Sequence, residues 1–191
     1  MKTTEPIRNK QDVKALMNFY LKRGEIRNYL LITLCIHTAL RISDILRLTW
    51  DDVYDFERQC LRKSFTITEK KTGKSKTIAL HKNVIKALSI YHRKNAKIGR
   101  PLIINERTSK AISRIQAYRL IRVASEVLKL QHKVSCHSLR KTFGYHSWKS
   151  GVSPAIIMEI YNHSSLAVTR RYLGVTQDDK NAVYLNMDFI D

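Results

Sequence analysis

The chain has 191 residues, 43% of them hydrophobic, with six Gly and three Pro. That is enough apolar material for one ordinary folded domain and excludes fibrous and disordered classes. Thirty-five Lys and Arg against sixteen Asp and Glu leave a formal charge of +19, far beyond the roughly 2–8 charges of a typical soluble domain, which points to a polyanionic partner. The basic residues are spread along the chain rather than gathered in a tail, so nucleic acid is favoured over a membrane surface.

The three cysteines, Cys35, Cys60 and Cys136, include no C-x-x-C pair. They give no disulfide framework and no zinc site, and reduced thiols in a cytoplasmic protein account for them. Residues 1–10 lack the apolar stretch of a signal peptide, and the run Tyr29 to Ile36 is far short of a membrane span. A cytoplasmic, nucleoid-associated location is the expectation.

In chain order, Asn9 caps a helix through Lys22 that Gly24 closes, with Val13, Leu16, Met17 and Tyr20 at helical spacing. A buried helix follows from about Ile26 to Thr38, and Ser43 caps a short one over Asp44 to Leu48. The period then changes to two. Cys60 to Thr68 reads as one strand and Lys76 to Leu80 as its partner, with Lys70-Lys71-Thr72-Gly73-Lys74 as the turn. Helix returns over Asn83 to Asn95. Ser113 and Gln116 make a capping-box pattern for a helix to about Lys129. Ser135 caps another that ends at Gly151, and Ser153-Pro154 starts one reaching about Tyr161. Ser164 or Ser165 caps a further helix stopped near Gly174. Asp179 to Phe189 forms a last short one with apolar Ala182, Val183, Leu185 and Met187. The fold class is mainly α with a small antiparallel β-hairpin.

Four segments carry candidate chemistry. His137 and Arg140 lie three apart at a helix start, so an imidazole and a guanidinium share one face, as an anionic substrate requires. Arg41 stands between a buried helix and a helix start, either solvated or held inward. Lys71 sits on the turn, where a flexible ammonium reaches a phosphate or donates a proton. His163 precedes a helix whose late turn carries Tyr172, and a phenol nucleophile needs a base and nearby positive charge.

Together and in this order, these pieces resemble the tyrosine recombinase family, which includes lambda-type integrases, Xer-type recombinases and the Cre recombinase. T-A-L-R-I-S-D at 38–44 resembles the family's first-arginine motif, E-K-K-T-G-K at 69–74 its lysine-bearing hairpin, and H-S-L-R-K-T-F at 137–143 its H-x-L-R box. N-H-S-S-L-A-V-T-R-R-Y at 162–172 resembles its ending, with Tyr172 nine positions after His163. The likeness spans about residues 8–175. Two positions depart from it: Asn162 stands where glycine is common, and Tyr161 where leucine is usual.

The resemblance implies a DNA breaking-and-rejoining catalytic domain with Arg41, Lys71, His137, Arg140 and His163 around the nucleophile Tyr172. Lys70, Lys74, Lys141, Arg170 and Arg171 flank these positions as expected contacts to double-stranded DNA. No metal or other cofactor is implied. The expected organisation is a single catalytic domain over 1–191, without the family's N-terminal core-binding domain. Residues 176–191 are a tail that docks on a neighbouring protomer in a synaptic tetramer, or packs on its own domain. A non-catalytic DNA-binding protein of the same fold and a type IB topoisomerase are the rival readings.

Overall fold

The computed structural model describes residues 4–187, without the side chains of Lys94 and Arg171. Phe189, at the end of the last predicted helix, therefore lies outside the described residues, as does the Arg171 side chain.

The architecture is organised around one helix. α1 (Lys10–Lys22) is capped by Asn9, whose carboxamide oxygen accepts from the Gln11 amide at 2.7 Å. α2 (Ile26–His37) is apolar on almost every face, and a helix of that kind must be enclosed. Its residues Asn28 through Ile36 are all buried. It packs against α1, α5 (Lys82–Asn95) and α7 (Cys136–Lys149). Leu16, Leu30, Leu34, Trp50, Leu88 and Leu139 form the centre of this core, each fully buried.

Between α2 and α5 lie α3 (Ile42–Ile45), α4 (Trp50–Val53) and the strands β1 (Tyr54–Asp55), β2 (Cys60–Leu61), β3 (Ser64–Thr68) and β4 (Ser75–Ala79). The predicted strand from Cys60 to Thr68 is two strands. Its first part pairs with β1 and its second with β4 in register Ser64↔Ala79 to Thr68↔Ser75. The alternation lapses at the break, where Arg62, Lys63 and Ser64 are all exposed and the partner changes. The predicted start of α3 at Ser43 is also corrected. Arg41 is the N-cap, since its carbonyl accepts from Asp44 and Ile45.

A third strand pair, β5 (Ile104–Asn105) with β6 (Lys110–Ala111), leads into α6 (Arg114–Val127). Reciprocal Ser113–Gln116 capping opens α6, and Ser135 with Ser138 opens α7 in the same way. α8 (Pro154–Tyr161) and α9 (Leu166–Leu173) are short helices capped by Ser153 and Ser165. They pack with the end of α7 around a small second core of Ala39, Ile157, Tyr161 and Leu173, distinct from the main one. α10 (Gln177–Asn186) follows, opened by a Thr176–Asp179 capping box and joined to α7 by a Lys149–Asp179 ion pair. None of its residues is buried. Among the described residues no helix is long and apolar enough to cross a membrane.

Candidate active site

The site lies where α3, the β3–β4 hairpin, α7 and the α8–α9 corner meet. Each contributing side chain is delivered by a local feature.

Arg41 follows a left-handed residue. Ala39 has φ +54°, which costs a non-glycine residue roughly 1–2 kcal/mol. This turn presents the Ala39 carbonyl to Arg140 and brings Arg41 out at the head of α3. The Arg41 guanidinium is held inward: Nη1 donates to Glu69 Oε2 at 2.8 Å, and the side chain is 21% exposed.

Arg140 is the deepest cation, 2% exposed in the first turns of α7. One arm donates to the Ala39 carbonyl and Nη2 donates to the Tyr161 carbonyl at 3.0 Å. Its guanidinium carbon stands 4.5 Å from the Tyr161 ring centroid, a cation–π arrangement. Burial and the nearby Arg41 charge both press its pKa downward.

Tyr172 lies at the end of α9, half-buried. Its ring centroid is 5.0 Å from that of His137 and 4.5 Å from that of His163. His163 Nδ1 bonds with Thr169 Oγ1 at 3.0 Å, which fixes the ring, and its face stacks on Tyr161 at 4.9 Å. His163 Nε2, Arg140 Nε and Glu69 Oε1 are buried without a hydrogen-bond partner among the described residues, as are Trp50 Nε1 and the Tyr91 hydroxyl in the main core. His137 is pushed down to about 4 by desolvation and by the charges of Lys141, Arg140, Arg41 and Lys71. His163 is pushed to about 4 by desolvation and the two arginines. Both imidazoles are therefore neutral at pH 7.

The structure thus gathers Arg41, His137, Arg140, His163 and Tyr172. Lys71 is exposed on the hairpin turn, yet its ammonium is close enough to contribute to the depression of His137. Of the flanking basic residues, Lys70, Lys74 and Arg170 are exposed. Lys141 is instead buried: its Nζ donates to the Thr4 carbonyl at 2.7 Å and stands 5.7 Å from the Tyr172 ring centroid.

Two departures from the family pattern acquire reasons. Asn162 ends α8 at φ +51°, a left-handed position that glycine takes freely and asparagine tolerates. Its amide also donates to Glu69 Oε2 at 3.1 Å, a bond glycine lacks the atoms to make. Tyr161 returns a hydroxyl bond to the Arg140 carbonyl at 2.6 Å.

Motif reading passed over Glu69 and Lys76. The signal was present in the alternation. Phe65 and Ile67 form the inward face of β3, which Glu69 continues one residue past its end, and Lys76 and Ile78 form that of β4. A carboxylate and an ammonium at inward positions of an apolar strand pair must be buried together, and Lys76 Nζ stands 2.9 Å from Glu69 Oε1.

The phage integrase family pattern matches residues 8–178. The chain is 36% identical over 184 residues to a probable integrase/recombinase, YoeC, of Bacillus subtilis, covering 96% of this chain and 97% of that one. It is 28% identical over 176 residues to the tyrosine recombinase XerA of Pyrococcus furiosus, covering 92% of this chain and 59% of that protein. In architecture it matches a crystal structure of XerA recombinase with TM-score 0.79 at 20% identity, over 98% of this chain and 68% of that one. A post-cleavage complex of XerH recombinase with its difH substrate matches with TM-score 0.77 at 18% identity, over 97% of this chain and 54% of that one. The fold is that of a DNA breaking-and-rejoining catalytic domain. The chain belongs to the phage integrase family.

Proposed function

We infer that this chain is a site-specific tyrosine recombinase that cuts and rejoins double-stranded DNA through Tyr172. The observation that carries the reading is the set of contacts around that phenol: two neutral imidazoles with ring centroids within 5.0 Å of its own, and a buried arginine packed on Tyr161, which stacks on one of them.

The chemistry balances within the chain's own groups. The Tyr172 oxygen attacks the scissile phosphorus, and its proton passes to His137. A phosphorus–oxygen bond to tyrosine forms as the bond to the 5′-oxygen breaks, and Lys71 supplies the proton that the leaving oxygen needs. Arg41 and Arg140 face the non-bridging oxygens, where negative charge grows in the transition state. His163 donates to one of them through the nitrogen that has no protein partner. A phosphate entering the pocket offsets the crowd of cations and raises both imidazoles from about 4, so His137 becomes a better base when substrate is present. The phosphotyrosine conserves the bond energy, and a second 5′-hydroxyl reverses the step without ATP. Among the described residues no cluster of His, Cys, Asp and Glu suited to a metal is found, and the roles above call for none.

The exposed Lys70, Lys74 and Arg170 supply contacts to the DNA backbone, in keeping with the +19 charge. Self-association into a synaptic tetramer is supported by α10, which leaves Val183 60% and Leu185 84% exposed. Action on DNA in the nucleoid follows from the same reading. The deciding experiment is incubation with a nicked suicide substrate. Wild type is expected to form a covalent protein–DNA band, and Tyr172→Phe to bind DNA without forming it. Binding without any band from wild type would favour a non-catalytic DNA-binding protein. Relaxation of supercoils without joining of paired sites would favour the topoisomerase reading.

A further inference from the structure

One heavily bonded carboxylate belongs to no part of the mechanism above. Glu69 ends the inward face of β3 and is fully buried. Its Oε2 accepts from Arg41 Nη1 at 2.8 Å, from Thr72 Oγ1 at 3.0 Å and from Asn162 Nδ2 at 3.1 Å. Its Oε1 pairs with Lys76 Nζ at 2.9 Å and lies 4.0 Å from Arg140 Nη1. Glu69 therefore ties together the head of α3, the turn that carries Lys71, the strand after it, and the residue next to His163.

Lys76 explains why the carboxylate stays charged in the interior. Its Nζ also donates to the Ile160 carbonyl at 2.8 Å, so the ammonium is anchored on α8 and faces Glu69 from a fixed place. Burial acts to raise the Glu69 pKa, but the bonds from Lys76, Asn162 and Thr72 outweigh it and hold the group at about 2. Three hydrogen bonds hold Oε2 and an ion pair faces Oε1, and removing one partner of such a buried pair strands the other. Arg41, by contrast, has no other hydrogen bond from its guanidinium among the described residues. Its direction is set by this single partner.

We propose that Glu69 is a positioning residue for the strand-cleavage reaction, aiming Arg41 at the scissile phosphate. The proposal rests on the recombinase reading. Glu69 does not touch the phosphate. It fixes the orientation of a guanidinium that does, and an oriented donor loses less freedom in the transition state than one that must be gathered from solution.

The alternative role for the same geometry is opposition. A carboxylate between two arginines resembles a phosphate in charge, and a competitor would have to be displaced before DNA enters. The bonding pattern argues against it. Three of the groups that hold Glu69 (Thr72, Lys76 and Asn162) are not assigned to the phosphate, and they keep the carboxylate behind Arg41 Nη1 while the rest of the guanidinium faces substrate.

The test is a double-mutant cycle on suicide-substrate cleavage, with Arg41→Ala and Glu69→Gln, alone and together. Glu69→Gln is expected to slow cleavage by about ten- to a hundredfold, the loss met when a group orienting a functional ligand is removed, with DNA affinity little changed. In the Arg41→Ala background it is expected to add less than about twofold, within the error of additivity. Losses that multiply would overturn the proposal, as would wild-type cleavage by Glu69→Gln. Cleavage faster than wild type would establish the competitor role instead. Should Glu69→Gln fail to fold, Glu69→Asp takes its place in the cycle and the same outcomes decide, since it keeps the charge and shortens the reach. Side-chain nitrogen spectra of Arg41 separate this inference from the recombinase reading. Slow rotation of its guanidinium in wild type and fast rotation in the Glu69 variant are expected even if no covalent band ever forms. Equal rotation in both proteins would refute the positioning role by itself.

Discussion

Arg140 and Tyr161 hold each other by reciprocal bonds: the guanidinium donates to the Tyr161 carbonyl, and the Tyr161 hydroxyl donates to the Arg140 carbonyl. The pair is packed against Gly144, one turn along α7. A methyl group on that glycine would lie 2.5 Å from the Tyr161 hydroxyl and 2.9 Å from its ring. Gly144 is helical, so alanine would favour the helix by about 1 kcal/mol on propensity alone. Sterics reverse the sign. Gly144→Ala is expected to destabilise the protein by about 1–3 kcal/mol, the range for overpacking, and to lower cleavage further by displacing Arg140. Denaturant melts and suicide-substrate cleavage check both effects, and a more stable, fully active variant would show that the ring does not define the guanidinium's place.

Arg140→Lys retains the charge but not the geometry. An ammonium cannot span the Ala39 and Tyr161 carbonyls while presenting a second edge to a phosphate. Cleavage is expected to fall by about 10²–10³, the loss associated with one transition-state donor. Comparison of single-turnover rates at saturating DNA measures it. A loss below about tenfold would mean that charge alone is what the reaction uses here.

Acid should weaken both the fold and the site, and the two effects separate by pH. His137 and His163 have folded values near 4, below the ordinary 6.5. Their neutral forms are favoured by folding, so stability falls as pH drops from about 6.5 towards 4. Glu69, near 2 rather than 4.5, adds a second loss between about 4.5 and 2. Because phosphate raises the histidines, DNA binding is expected to take up protons between about pH 4 and 6.5. Calorimetry at about pH 5.5 in buffers of different ionisation enthalpy reads this directly, and His137→Gln with His163→Gln should remove it. Identical binding heats in all buffers would contradict the charge crowding described.

The tail offers a clean separation of stability from assembly. Val183 and Leu185 make no buried contact with the rest of the chain among the described residues. Their replacement by serine is expected to change unfolding free energy by no more than about 0.5 kcal/mol, as for surface sites in general. Assembly on paired DNA sites, followed by native gels or mass photometry, should be lost. Retained assembly would place the self-association surface elsewhere.

Much of the helical frame was legible from end signals. Asn9, Ser113, Ser135, Ser153 and Ser165 all cap the helices that their sequence context suggested, and Gly174 ends α9 at φ +62°. The errors arose where a local pattern carries no information about partners. The alternation from Cys60 to Thr68, even with its lapse over residues 62–64, does not reveal that the strand changes neighbours at residues 62–63. Ser43 looked like a cap because its type suits one, while backbone bonds already start the turn at Arg41. In the pocket, motif spacing brought forward the groups expected to meet substrate and said nothing of those that face inward behind them. Glu69 and Lys76 were visible only to a reading that asked which strand face each occupies. Lys141, expected among the DNA contacts, is buried beside the site instead: its ammonium donates to the Thr4 carbonyl and stands 5.7 Å from the Tyr172 ring centroid.

The small second core has a mechanical meaning. Tyr172 rides on an eight-residue helix whose apolar anchor is Ala39, Ile157, Tyr161 and Leu173, not the large cluster around α2. A segment with so little buried surface opens at a fraction of the whole domain's unfolding free energy. Amide exchange across α9, residues 166–173, is therefore expected to run ahead of that in α2. A nucleophile carried on a helix with its own small core is set apart, in its opening, from the cluster that holds the rest of the domain.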